Sequence, residues 1–88
     1  MKNKTELFNE LVQKMELKQS QLARWMSQEN SKSARESIRK KSKGINGVTK
    51  TDIGLLRAVE YLYDLGYDVA NVEFNESMAI SSPLKLRK

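Results

Sequence analysis

Cysteine and histidine are both absent from this 88-residue sequence, which has one proline and one tryptophan. Without cysteine the chain has no disulfide, no thiolate nucleophile and no cysteine-based zinc site. Without histidine it lacks the imidazole metal ligand and the commonest general base. No apolar run approaches the roughly 18 residues of a membrane-spanning helix, and the first four residues lead into a charged helical pattern instead of a signal peptide. We therefore expect one cytoplasmic domain without metal or cofactor.

Carboxylates are the only remaining groups that could support catalysis. Asp52 and Asp68 stand where helix caps are expected, and Asp64 fits a solvated position on a helix. These structural roles explain the three side chains better than acid–base chemistry does. We therefore expect a protein that is not an enzyme.

Positive charge is concentrated in the middle of the chain. The formal net charge is +5, from 16 Lys+Arg and 11 Asp+Glu. Residues 24–50 carry eight basic and two acidic side chains, whereas residues 51–78 carry one basic and six acidic side chains. The basic block is either a solvated helix face or an anion-binding surface, and charge alone does not decide between them.

Apolar residues recur at the period of an amphipathic helix in four segments. The predicted helices cover about residues 3–16, 18–28, 33–43 and 49–65. Asn3 is the expected cap of the first helix, with Thr5 as a competing cap, and a capping box from Ser33 to Glu36 is that of the third. The fourth opens at Thr49, which can form a capping box with Asp52, or at Thr51. The third helix has only two apolar residues, so most of its circumference is polar and basic. The fourth has the strongest apolar pattern and is the expected core helix.

The sequence after Gly66 is ambiguous. Glycine is typical of the position just past a helix, so the fourth helix should end there. The β-prone residues that follow favour a short hairpin over a fifth helix, but both remain open. Residues 81–88 are expected to form a basic, flexible tail.

Residues 5–68 resemble the lambda-repressor/Cro-like helix-turn-helix regulators of phages, plasmids and bacteria. The resemblance rests on Gln19, the Leu22-Ala23 pair three residues later, and Met26 after three more. Ile38 fits the apolar residue that seats the family's second motif helix on the first. The resemblance implies a mainly α, compact four-helix helix-turn-helix domain over residues 1–80, with the hairpin or fifth helix at its end.

The resemblance also implies a sequence-specific transcriptional regulator, a repressor, that inserts helix 33–43 into the major groove of double-stranded DNA. Arg35 and Arg39 are four residues apart on the outer face, and each guanidinium can pair with guanine. The alternative for both is solvation or pairing with Glu36 and Glu29. The predicted DNA-binding residues are Gln19, Arg35, Ser37, Arg39, Lys40, Lys43 and Lys50, with Lys41 as a further phosphate contact.

Two further expectations concern protein partners. Dimerisation in the resembled family and the β-prone C-terminal segment together predict a homodimer. Such a dimer would place the two DNA-contacting helices on DNA half-sites one helical turn apart. The acidic segment 52–76 suggests the alternative function, a protein–protein interaction module such as an antitoxin or a phage-encoded inhibitor. Trp25 is expected to be a partly buried packing residue.

Overall fold

A computed structural model describes residues 3–27, 31–77, 79–81 and 84–87. Within these residues the chain forms four helices and no strand. The helices are α1 (Lys4–Lys14), α2 (Gln19–Ser27), α3 (Lys32–Ser42) and α4 (Lys50–Asp64). This confirms the predicted mainly α, four-helix domain. None of the described helices combines the length and the apolar character that crossing a membrane requires.

The core lies where α1 packs on α4 and α2 packs on α3. Most of the predicted apolar residues of the four helices point into it, and the largest of the fully buried side chains are Phe8, Leu22, Leu56, Val59 and Val69. Trp25 is buried as expected, and its indole N–H donates to the Val69 carbonyl at 2.7 Å. The segment after α4 therefore completes the core against α2.

Two of the predicted helix starts are confirmed. The Asn3 side chain accepts from the Glu6 backbone N–H at 2.8 Å, as an N-cap does. Thr49 and Asp52 form a reciprocal capping box at the start of α4. Gly66 follows this helix with a φ of 97°, a left-handed conformation that favours glycine.

The predicted capping box at the start of α3 is wrong. The N-cap is Ser31, whose hydroxyl accepts from the Ala34 N–H at 3.1 Å. The helix begins earlier than expected. Ala34 lies one full turn before Ile38, and both side chains are buried. Ser33 and Glu36 consequently lie on the exposed side of the helix and serve no cap.

No fifth helix forms in the described part of the chain after Gly66. Phe74 and Ile80 form an isolated antiparallel bridge, and Tyr67 forms another with Leu86. The predicted hairpin is thus present only as single bridges. Residues 84–87, part of the predicted flexible tail, lie against the end of α4, where the Arg87 N–H donates to the Gly66 carbonyl at 2.7 Å.

Candidate nucleic-acid interface

Helix α3 is attached to the core along one narrow side. Ala34 and Ile38 are buried, with exposures of 7% and 4%, against the rest of the domain. The Asn9 side-chain amide of α1 donates to the Ser42 carbonyl at 2.9 Å, which holds the last turn of α3 in place. The circumference that remains, apart from Lys41, which binds Asp52 of α4, carries four basic side chains and one acidic side chain: Lys32, Arg35, Arg39, Lys40 and Glu36. This surface is the basic face of α3.

Most of the predicted DNA-binding residues lie on or beside this face. Lys43 is exposed, and four others are partly exposed: Arg35, Ser37, Arg39 and Lys40. Gln19 and Lys50 are also exposed, but they are the first residues of α2 and α4. The structure therefore brings five of the seven residues together on α3 and its C-cap, and places the other two on separate helices.

Arg39 is paired with Glu36, one of the alternatives that the sequence left open. The Arg39 Nε donates to Glu36 Oε1 at 3.0 Å, and one terminal nitrogen donates to the same oxygen. The hydrogen bond from Arg39 lowers the pKa of Glu36, and the charges of Lys40 and Lys32 lower it further. Glu36 is therefore an ionised carboxylate within a basic surface, and it fixes the orientation of the guanidinium beside it.

Lys41, predicted as a further phosphate contact, forms an ion pair within the domain. Its Nζ donates to Asp52 Oδ2, and the two side chains are only 18% and 12% exposed. This ion pair joins the last turn of α3 to the capping box of α4. Burial, the largest single effect, raises the pKa of Asp52, but hydrogen bonds from Lys41 and Thr49 together bring it below its ordinary value.

Three polar residues of this surface were missed by sequence reasoning. Lys32, Ser33 and Asn46 line a shallow depression on the basic face together with Glu36, Ser37 and Lys40. Lys32 and Ser33 were placed before the helix or at its cap, whereas they belong to the first turn of α3. Ser31 was the sequence signal for this start, since it is also a good capping residue. No sequence pattern indicated that Asn46 would lie on this surface.

Carboxylates of the acidic segment 52–76 mostly have partners within the domain. Lys14 Nζ lies 2.9 Å from Glu60 and 3.0 Å from Asp64, and these hydrogen bonds raise the pKa of the lysine. The same hydrogen bond from Lys14, with another from Arg57, lowers the pKa of Glu60. Asp68 accepts from the Ala70 N–H at 3.1 Å and so closes a turn. Much of this negative charge is neutralised or hydrogen-bonded internally.

The basic face of α3 differs from the acidic segment in how many of its charges are paired within the domain. Lys32, Lys40 and Lys43 form no ion pair with a carboxylate of the described residues. These three lysines are therefore available to an external anion. Comparison with known proteins adds no family to this description, because no family model, curated protein or solved structure matches the chain.

Proposed function

We propose that the protein binds double-stranded DNA in a sequence-specific manner and regulates transcription as a repressor, with α3 in the major groove. One observation carries the proposal. A helix that packs on the core through Ala34 and Ile38 presents lysines without internal counter-ions on its outer side. Such a helix fits the width of the major groove, and lysines at its rim can reach the phosphates.

The chemistry of the face separates into two kinds of contact. The first turn of α3 carries Lys32, Ser33 and Arg35, and the N-terminal residues of a reading helix are those that reach base edges. Arg39 follows one turn after Arg35, with its guanidinium oriented by Glu36. Lys40 and Lys43 lie toward the C-terminal end, where they would neutralise phosphates. Base reading and phosphate binding are thus assigned to different parts of one helix.

Selection from random duplex DNA at two salt concentrations tests this proposal. We expect a converged sequence motif at both concentrations, with weaker overall binding at the higher one. Arg39→Ala should weaken binding to the selected site by about 1–3 kcal/mol and relax the preference at one base pair. The measurement is binding to the selected site and to single-base variants of it.

Lys85→Ala provides the control. Lys85 is exposed and lies beside Asp68, beyond the C-terminal end of α4, so its replacement also removes one positive charge but not from α3. Its affinity for the selected site should match that of the unmodified protein. Failure of any motif to converge would overturn the function, and equal losses in the two variants would overturn the assignment to α3.

A further inference from the structure

Helix α4 is apolar on two opposite sides. Its inner side contributes Leu56 and Val59 to the core, with exposures of 0% and 1%. On its outer side Tyr61 is 67% exposed and Leu65, at the C-cap, is 54% exposed. A surface helix of a monomeric domain normally has one apolar face and one polar face. A second apolar face on a helix that already fills the core indicates a second partner.

The outer residues form a continuous stripe. They are spaced alternately three and four residues apart, which keeps them on one side of the helix as in a coiled-coil seam. All are exposed and none is charged: Thr51, Gly54, Ala58, Tyr61 and Leu65. Leu86, 67% exposed, lies beside Gly66 and extends the apolar surface past the end of the helix. We refer to the five exposed residues of the helix, from Thr51 to Leu65 and without Leu86, as the outer stripe.

The outer stripe changes in size along its length. Gly54 and Ala58, in its N-terminal half, are small, and a Cβ at Gly54 would meet no atom within 4 Å. Tyr61 and Leu65, in its C-terminal half, are large. A second copy of the helix running in the opposite direction would set Tyr61 against Gly54 and Leu65 against Thr51. The stripe is therefore complementary in shape to itself under a two-fold axis near Ala58.

The charged residues beside the outer stripe also favour an antiparallel arrangement of two copies. Lys50 flanks the stripe at its start, and Asp64 flanks it on the same side near its end. In an antiparallel pair each Lys50 approaches Asp64 of the second copy, a half-exposed carboxylate that also binds Lys14 of its own chain. Between them Arg57 is neutralised by Glu60 of its own helix at 2.9 Å. The two ends of the stripe thus attract, and its centre is not repelled.

We propose that the outer stripe of α4 is a homodimer interface in which two copies pack antiparallel around Ala58. The occupant is a second copy of this chain, because shape and charge are both self-complementary. Lys50 then pairs with Asp64 of the second copy instead of contacting phosphate. The inference stands independently of DNA binding, and it gives the predicted homodimer a defined surface.

Sedimentation equilibrium of the unmodified chain and of Ala58→Glu tests the interface. We expect a reversible dimer for the unmodified protein. The variant should associate at least about a hundredfold more weakly, because two like charges would face each other at the axis. Ala79→Glu is the matched control: it makes the same change at an exposed position outside the stripe and should leave the dimer intact. Circular dichroism establishes that both variants remain helical.

Disulfide trapping tests the orientation, and the absence of native cysteine makes it unambiguous. Ala58→Cys should form a covalent dimer under mild oxidation, because residue 58 lies near the axis. Gly54→Cys should not, because in the antiparallel pair the two residues 54 lie about 11 Å apart along the helices. Cross-linking of both variants would overturn the antiparallel arrangement. A monomer at several hundred micromolar, or an Ala58→Glu dimer of unchanged affinity, would overturn the interface itself.

Discussion

Asp52 is the only buried charged residue among those that the structure describes. Its carboxylate accepts from the Thr49 N–H at 2.9 Å and from Lys41, so it caps α4 and holds α3 at the same time. Because these bonds place its pKa below the ordinary value, folding favours the ionised form. The stabilisation is therefore fully present above the unfolded-state pKa of about 3.9 and is lost as the pH falls through the folded-state value.

Asp52→Asn should lower the free energy of unfolding at pH 7 by about 1–2 kcal/mol. The amide can still accept from the Thr49 N–H, but it leaves the partly buried Lys41 without a counter-charge. The variant should also lose less stability than the unmodified protein between pH 5 and pH 2, since one depressed carboxyl has been removed. Denaturant unfolding at a series of pH values measures both effects.

Glu73→Gln is the control for this pH dependence, because Glu73 is an exposed residue outside the helices. Its stability curve should follow that of the unmodified protein at every pH. An Asp52→Asn curve parallel to the unmodified one over the acid range would contradict the role given to the ion pair.

At the scale of the element, the start of α3 decides which side chains belong to its first turn. With Ser31 as the cap, the first turn contains Lys32 and Ser33, and Ala34 reaches the core. Ser31→Ala should therefore cost about 1 kcal/mol of stability, because it leaves the Ala34 N–H without its acceptor. Ser33→Ala removes the same hydroxyl two residues later and should change stability by less than about 0.5 kcal/mol.

Thermal or denaturant unfolding of the two serine variants provides the measurement. A larger loss of unfolding free energy for Ser33→Ala than for Ser31→Ala would mean that Ser33 caps the helix, as the sequence pattern predicted. Equal losses would also contradict the assignment, because only one of the two hydroxyls accepts from a backbone N–H of the first turn.

Local patterns were sufficient for some elements and insufficient for others. Thr49 with Asp52 and the glycine after α4 could be read from the sequence, since a cap depends on residues within one turn of it. Ser31 and Ser33 are both good capping residues, so the local pattern alone does not choose between them. The Lys41–Asp52 pair spans 11 residues and two helices, so no periodicity indicated it. Lys41 consequently looked like one more surface cation.

At the scale of the whole molecule, the two charged regions are used differently. Carboxylates on α4 are bound by Lys14 and Arg57, and the two ion pairs of Lys14 join α1 to α4. Lysines on the basic face of α3 have no such partners in the described part of the chain. The internal pairing of the acids argues against an acidic docking surface. The unpaired lysines leave a positive field that an external polyanion would neutralise.

Salt dependence measures how many of these cations contact DNA. The slope of log affinity against log salt concentration should become shallower by about 1 for Lys40→Gln and again by about 1 for Lys43→Gln, since each replacement abolishes one phosphate contact. Lys41→Gln should leave the slope unchanged and instead lower the stability, because Lys41 is bound to Asp52. Lys85→Gln should change neither quantity. A uniform change of slope across all four variants would mean that binding depends on net charge alone and that α3 has no special position on the DNA.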